Sequence, residues 1–157
     1  MKPTVYIETS VISYLTAQPS RDLVIAGHQQ STYQWWHDAR EKFECHVSPF
    51  VIDECSRGDR QAAEKRLTAL SGIAQLSLRA EIEPLANIYF KAIQIPERAR
   101  ADAFHLAIAT HYRMQFLLSW NCVHMVSGRV KKILQEENAK LGLTTPIICT
   151  PEELMEV

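Results

Sequence analysis

The chain has 157 residues, of which 46% are hydrophobic, and only 5 glycines and 7 prolines. This composition fits one compact domain over residues 1–157 and excludes a fibrous or disordered protein. The formal net charge is -1, so nucleic-acid binding would require a local basic region instead of a positive overall surface.

The beginning of the chain predicts one strand followed by two helical segments. TVYI (4–7) is rich in β-forming residues, and Thr9 or Ser10 can then cap a helix. A segment from about Asp22 to Phe43 has a helical pattern.

The next strand candidate is ECHVS (44–48). Ser48 and Pro49 are typical of an N-cap followed by the first residue of a helix. Asp59 can cap a further helix that ends near Gly72.

The second half of the chain continues the alternation of strands and helices. The β-type runs are AQLSL (74–78), QFLLSW (115–120) and PIICT (146–150), and the helical segments are EIEPLANIYFKAI (81–93), ARADAFHLAIATHYR (99–113) and GRVKKILQEENAKLG (128–142). Strands that alternate with helices favour an α/β fold with a mostly parallel sheet.

Several motifs that would define other functions are absent from the sequence. No apolar run approaches the roughly 20 residues that span a bilayer, and the first residues do not form a secretory signal. We therefore expect a cytoplasmic protein with no membrane partner. There is no dinucleotide-binding, P-loop or serine-hydrolase motif. The four cysteines form no C-x-x-C pair, which favours reduced thiols (Cys45, Cys55, Cys122, Cys149).

Four oxygen-bearing side chains follow predicted strands or begin a helix that faces their carboxyl ends: Glu8, Glu54, Asp102 and Asn121. Each has an ordinary explanation, as a solvated strand end, an exposed helix residue, a helix-dipole partner or a turn residue. Ligands of parallel α/β sheets collect at this edge, however. Carboxylates brought together there repel one another and need a cation, and oxygen ligands favour Mg²⁺ or Mn²⁺. Such a metal suits hydrolysis of a nucleic-acid phosphodiester.

The segments VYIETSVISYL, SPFVIDECSRGD, RARADAFHLAIATHYRMQFLLSWNCVHM and PIICTPEEL resemble PIN domains, and in particular VapC toxins of type II toxin–antitoxin systems. The resemblance extends over nearly the whole chain. It implies a PIN-like three-layer fold with a central sheet of four or five strands. It also implies a Mg²⁺- or Mn²⁺-dependent endoribonuclease, a cognate antitoxin partner and a homodimer.

Matched position by position, the acids of the family fall on Glu8, Glu54, Asp102 and Asn121. The resemblance implies that Glu8, Asp102 and Asn121 hold the metal and that Glu54 positions the attacking water. Ser119 would support this corner of the site, and Thr9 would support the first acid by capping the helix behind it. The family usually has Asp at the positions of Glu8 and Asn121, so this chain offers a longer first acid and a neutral fourth group.

Basic and aromatic residues near these positions have weaker assignments. Arg98, Arg100 and Arg129 are candidates for RNA phosphate contacts, although each also fits a solvated helix face. A cluster of Tyr33, Trp35 and Trp36 fits core packing or a partner interface.

Two histidines near the acids also have more than one possible role. His105 and His124 fit a proton-transfer role, but a buried, hydrogen-bonded role is favoured for His105. Together with Cys122 they make only a weak zinc pattern.

Two alternatives to the nuclease remain open. One is a PIN-like RNA- or protein-binding module that has lost strong catalysis, because Glu8 and Asn121 depart from the family pattern. The other, weaker alternative is a flavodoxin-like domain, which rests only on the alternation of strands and helices.

Overall fold

The computed structural model describes residues 1–155, which form one five-stranded sheet flanked by α-helices. The strands are β1 (Thr4–Ile7), β2 (Glu44–Val47), β3 (Ala74–Gln75), β4 (Phe116–Leu118) and β5 (Ile147–Cys149). The helices are α1 (Thr9–Thr16), α2 (Leu23–Gln34), α3 (Pro49–Cys55), α4 (Arg60–Ala69), α5 (Ile82–Ile93), α6 (Arg100–His111) and α7 (Gly128–Leu141).

The sheet has the strand order β3-β2-β1-β4-β5, and all four strand pairs are parallel. This confirms the predicted central parallel sheet. The middle strand, β1, is covered on both faces, and Val5, Tyr6 and Ile7 are each 0% exposed. A strand buried on both faces needs a continuous apolar run instead of an alternating one, which explains the sequence of β1.

The helices form two packed groups around the sheet. The first helix, α1, contacts α2, α3 and α4, while α5 packs against α6 and α7. Because α1 directly follows β1 and α3 directly follows β2, their N-termini lie at the carboxyl edge of the sheet. The β4 strand runs toward the same edge, and α6 precedes it through a short turn, so α6 also begins at that edge. This arrangement brings the polar residues of several elements together.

The segment predicted to be helical over 22–43 is helical from Leu23 to Lys42, but its helix type changes in the second half. The α-helix ends at Gln34 and continues as a π-helical turn (Trp35–Ala39) and a 3-10 turn (Arg40–Lys42). The wider turn allows two consecutive tryptophans to enter the core, with Trp35 at 0% and Trp36 at 8% exposure. Tyr33 remains 54% exposed, so the aromatic cluster is divided between core and surface.

The predicted strand over 74–78 is confined to Ala74–Gln75. These two residues pair with His46 and Val47, the last two residues of β2. Since α3 begins immediately afterwards, β2 offers no further residues for pairing. Within residues 1–155, no helix has the length and apolar character needed to cross a membrane.

Candidate active site

The first acid, Glu8, is buried at the carboxyl end of β1, and it is itself the N-cap of α1. Its Oε2 accepts a hydrogen bond from the Ser10 backbone N–H at 3.0 Å. The prediction that Thr9 or Ser10 caps this helix is therefore wrong, because a carboxylate at this position satisfies the free N–H of the first turn. The hydroxyls of Ser10 and Ser119 both donate to Oε1, at 2.6 and 2.5 Å.

Ser119 connects the first acid to the fourth predicted position. It follows β4 and is 0% exposed. Its hydroxyl donates to Glu8 and also accepts the Asn121 backbone N–H at 2.9 Å. The ends of the neighbouring strands β1 and β4 are thus joined through one serine side chain.

Asp102 lies in the first turn of α6 and contacts two residues of the segment after β4. Its Oδ2 accepts from Asn121 Nδ2 at 3.1 Å and is 2.6 Å from His124 Nδ1. The Asn121 Oδ1 accepts the backbone N–H groups of Val123 and His124, at 3.2 and 3.0 Å. In the flipped amide, the oxygen would face the Asp102 carboxylate and the NH₂ group would face the two backbone N–H groups. Both contacts would be repulsive, so the neighbouring groups favour the observed orientation.

Glu54 lies on α3 and is held by residues from two other elements. Its Oε1 accepts from the Thr9 hydroxyl at 2.7 Å and is 2.6 Å from His105 Nε2. The His105 ring is 0% exposed, and its Nδ1 is 2.6 Å from the Tyr6 hydroxyl. Tyr6 is in turn 2.8 Å from the hydroxyl of Ser48. Ser48 is the N-cap residue of α3, as predicted, but its side chain makes no cap hydrogen bond.

The pKa values of Glu54, His105 and Tyr6 are shifted by burial and by their hydrogen-bond partners. Burial alone would raise the pKa of Glu54, but the hydrogen bond and charge of His105, together with the Thr9 hydroxyl, lower it below its usual value. Burial would lower the pKa of His105, but the hydrogen bond and charge of Glu54 raise it. The pKa of Tyr6 is raised well above its usual value, chiefly by burial, so its hydroxyl stays neutral.

The lone pairs that remain free show what the acids can still bind. A carboxylate offers about four acceptor positions. Glu8 uses three of them, while Asp102 Oδ1 and Glu54 Oε2 accept no hydrogen bond from residues 1–155. The Asn121 Oδ1 has both positions occupied by backbone N–H groups. Contrary to the prediction, the Asn121 oxygen is not directed at the acids.

The acids form two neighbouring groups, one around Glu8, Asn121 and Asp102 and the other around Glu54 and His105. Thr9, the residue after Glu8, connects them by donating to Glu54. In the part of the chain that the structure describes, no three His, Cys, Asp or Glu side chains are arranged to hold a metal ion. Both ring nitrogens of His105 are engaged, which counts against the weak zinc pattern.

The three arginines predicted to contact RNA differ in the number of intramolecular contacts that their side chains make. Arg100 is ion-paired with Glu97 at 2.9 Å and lies 4.0 Å above the Phe90 ring. Arg129 donates to the Ile93 carbonyl at 3.0 Å. Arg98 is exposed and makes no hydrogen bond or ion pair within residues 1–155. Of the three, Arg98 has the side chain most available to a ligand.

Sequence reasoning did not assign Tyr6 or Ser10 to this site. Tyr6 precedes Glu8 by two residues, and side chains two apart on a strand share a face. His105 follows Asp102 by three residues, so the two are neighbours on one side of α6. Those spacings were the available signal, but they did not show which partner each side chain would choose.

Neither the family models nor the curated protein sequences give a match to this chain. Among solved structures, the chain is similar to the crystal structure of VapC20 from Mycobacterium tuberculosis, described as a Sarcin-Ricin loop cleaving toxin. The TM-score is 0.57 and the identity 16%, over 73% of this chain and 87% of VapC20. The fold is PIN-like. At this identity the likeness establishes the fold alone, and it confirms the resemblance to VapC-type PIN domains at that level.

In the PIN-like fold of this chain, all four predicted site residues lie at the carboxyl edge of the sheet or on the helices that begin there. Glu8 follows β1, Asn121 follows β4, and Glu54 and Asp102 project from α3 and α6. Hydrogen bonds join Glu8, Asn121 and Asp102 through Ser119, and Glu54 is bonded to Thr9, the residue after Glu8. Carboxylate oxygens remain free in both groups.

Proposed function

We propose that this chain is a Mg²⁺- or Mn²⁺-dependent endoribonuclease and the toxin of a type II toxin–antitoxin pair. The observation that carries the proposal is the gathering of Glu8, Glu54, Asp102 and Asn121 at one edge of a PIN-like sheet. VapC20, which shares the fold, is described as a Sarcin-Ricin loop cleaving toxin. Three carboxylates grouped at a ligand-binding edge match the chemistry of phosphodiester hydrolysis.

The donor set fits a hard divalent cation, although with fewer protein ligands than predicted. Mg²⁺ commonly binds through one or two carboxylates and keeps several waters. Asp102, through its free Oδ1, and Glu8, through the remaining position on Oε2, would hold the ion. Asn121 would hold the Asp102 carboxylate instead of ligating the ion, because its amide N–H faces Asp102. When bound, the cation would neutralise phosphate charge and favour deprotonation of water.

The proposed role of Glu54 is to orient and deprotonate the attacking water. Its Oε1 is fixed by Thr9 and His105, and its Oε2 is free to accept a proton. The lowered pKa of Glu54 keeps the carboxylate in the basic form. In the reaction, a bond forms between the water oxygen and phosphorus, the bond from phosphorus to a ribose oxygen breaks, and that oxygen takes a proton from solvent.

Two exposed arginines near the starts of α6 and α7 support an RNA substrate. Arg98 is exposed in the turn before α6, and Arg129 is exposed in the first turn of α7, next to the segment that carries Asn121. We propose that Arg98 and Arg129 contact RNA phosphates and that Arg100, ion-paired with Glu97, acts mainly by holding the start of α6. We also propose that the protein acts on RNA in the cytoplasm.

A cognate antitoxin and a second copy of the chain are the proposed protein partners. The start of α2 exposes Leu23 at 88% and Val24 at 67%, and Tyr33, nearly three turns after Leu23, is 54% exposed. Adjacent exposed apolar residues are typical of interaction surfaces, so α2 is the proposed antitoxin contact. Sedimentation of the purified protein, alone and with the product of an adjacent small gene, tests both partners.

The decisive experiment compares the parent protein with Asp102→Asn on a structured RNA as Mn²⁺ is added. We expect metal-dependent cleavage by the parent and a loss of at least about a hundredfold in Asp102→Asn. Calorimetric titration with Mn²⁺ should show weaker binding to the variant. Equal cleavage rates for the two proteins would refute the proposed site.

A binding module without strong catalysis is the second candidate. It is favoured by the orientation of Asn121 and by the absence of a three-ligand metal cluster within residues 1–155. RNA affinity without any cleavage across the Mn²⁺ titration would support the module over the nuclease.

A further inference from the structure

We propose that Tyr6 and His105 are positioning residues for Glu54, forming with Ser48 a buried hydrogen-bonded chain that fixes the direction of the Glu54 carboxylate. The inference rests on the proposed nuclease function, in which Glu54 orients the attacking water. These residues do not contact the substrate in the proposal, and they affect the reaction only by orienting Glu54.

The chain is continuous and its members come from three elements, β1, α3 with its N-cap, and α6. It runs from Ser48 before α3 to Tyr6 on β1, then to His105 on α6 and finally to Glu54 on α3, with successive contacts of 2.8, 2.6 and 2.6 Å. Ser48, Tyr6 and His105 are each 0% exposed. Glu54 is the only member that reaches the surface, with 27% of its side chain exposed.

The direction of the hydrogen bonds follows from the chemistry of Glu54. An ionised carboxylate only accepts hydrogen bonds, so His105 Nε2 carries a proton and donates it. When His105 is also protonated at Nδ1, as its raised pKa favours, Nδ1–H donates to the Tyr6 hydroxyl, which in turn donates to Ser48. In neutral His105 these two bonds reverse, so that Ser48 donates to Tyr6 and Tyr6 donates to Nδ1. In both states His105 donates to Glu54, and both ring nitrogens and both hydroxyls have a partner.

The surroundings of His105 explain why the imidazole cannot turn away. The Phe50 ring packs against it edge-to-face, with ring centroids 6.2 Å apart, and Phe104 stacks on Phe50 at 4.6 Å. A ring packed against the Phe50 and Tyr6 rings and hydrogen-bonded at both nitrogens has one orientation. Glu54 therefore receives its hydrogen bond from a fixed point, which is the condition for a carboxylate to hold a water in one place.

The chain contacts only one half of the proposed site. Its hydrogen bonds end on Glu54, whereas Asp102 is held by Asn121 and His124. Breaking the chain should therefore slow the chemical step and leave the apparent affinity for Mn²⁺ unchanged. A general loss of fold would alter both quantities, so the two outcomes are separable.

The test compares Tyr6→Phe with Tyr89→Phe, a matched control. Tyr89 is equally buried, and its hydroxyl bonds Asn138 on α7 instead of a site residue. We expect Tyr6→Phe to lower kcat roughly tenfold at an unchanged Mn²⁺ half-saturation, with Tyr89→Phe retaining the parent rate. Equal rates for Tyr6→Phe and the parent would overturn the proposal.

A second pair of variants keeps the test valid if Tyr6→Phe misfolds. His105→Gln retains an N–H donor toward Glu54, whereas His105→Leu removes it. We expect up to about a hundredfold loss of kcat in His105→Leu and partial rescue in His105→Gln. Equal rates in these two folded variants would show that the donor does not matter.

Nitrogen NMR of the His105 ring separates this inference from the nuclease proposal. Tyr6→Phe should shift the His105 Nε2–H signal, through the altered bond at Nδ1, and Tyr89→Phe should leave it in place. If the parent protein cleaves no RNA with Mn²⁺, the proposed function fails and the NMR signal alone decides the inference. An unshifted signal in Tyr6→Phe would then overturn it.

Discussion

Two histidines contact the acids of the candidate site, and they are held in opposite ways. His105 is 0% exposed on α6, and both of its ring nitrogens are hydrogen-bonded, one of them to Glu54. His124 is 19% exposed in the turn before α7 and touches Asp102 through Nδ1. The first histidine belongs to the core of the fold, whereas the second belongs to a short surface segment.

The difference indicates that the two halves of the site have different rigidity. The direction of Glu54 is set when β1, α3 and α6 pack, so it is fixed by folding itself. The direction of Asp102 depends on contacts with Asn121 and His124, which lie in the segment between β4 and α7. Under the proposed function, the base would be fixed by the packed core and the metal-binding carboxylate by that segment.

The largest expected effect comes from replacing the proposed base, Glu54, while the proposed metal ligands stay unchanged. Glu54→Gln should lower kcat by about a hundredfold or more, because an amide does not accept a proton from water, while Mn²⁺ half-saturation stays near the parent value. Asp53→Asn is the matched control, since Asp53 is the adjacent exposed acid and pairs with Arg57. Rate measurements over a Mn²⁺ series check this, and a large change in Mn²⁺ half-saturation in Glu54→Gln would show that the two halves are not separate.

Replacing each of the two histidines should change the free energy of unfolding by different amounts. We expect His105→Leu to lower the free energy of unfolding by about 1–3 kcal/mol, because Tyr6 and Glu54 each lose a hydrogen-bond partner. His124→Leu, at a half-buried position in a turn, should change it by no more than about 0.5 kcal/mol. Urea unfolding followed by circular dichroism measures both, and equal losses would contradict the contrast between core and surface.

The contribution of the Glu54–His105 pair to stability should depend on pH. Since the pKa of Glu54 is lowered from 4.5, its contribution is present above about pH 4.5 and is lost in more acidic solution. Since the pKa of His105 is raised from 6.5, its contribution is complete below about pH 6.5 and is lost as the pH rises through the raised value. The charges of Glu8 and Asp102 raise the pKa of His105 further.

The stability difference between the parent and His105→Leu should therefore be largest between about pH 4.5 and 6.5 and smaller at pH 9. Unfolding curves at pH 5.5 and 9 measure it. A difference that does not change between these two values would mean that the pair is not ionised in the folded protein.

The smallest expected effect concerns RNA binding at the edge of the site. Arg98→Gln should reduce the slope of log affinity against log salt by about 0.7, as expected when one phosphate contact with a single strand is lost. Lys140→Gln, near the end of α7, is the control and should leave the slope unchanged. Filter binding of RNA to the protein in EDTA provides the measurement, and identical slopes for Arg98→Gln and the control would remove Arg98 from the interface.

The sequence was sufficient to predict the order of elements and the edge at which the acids meet. The apolar run of β1 and the position of Glu8 directly after it follow from patterns that sequence carries locally. The contacts of His105 could not be predicted in the same way, because Tyr6 and Glu54 lie far from it in the sequence and meet it only in the packed core. The direction of the Asn121 amide could not be predicted either, because it depends on two backbone N–H groups whose positions are set by the turn.

The central place of β1 in the sheet has a consequence for synthesis of the protein. Tyr6 and Glu8 are translated 99 and 111 residues before their respective partners His105 and Ser119. The site is therefore incomplete on the ribosome until β4 and the segment after it have been made. Under the proposed function, the nascent chain would not cleave RNA before that segment is in place, and an antitoxin would have no finished active site to block.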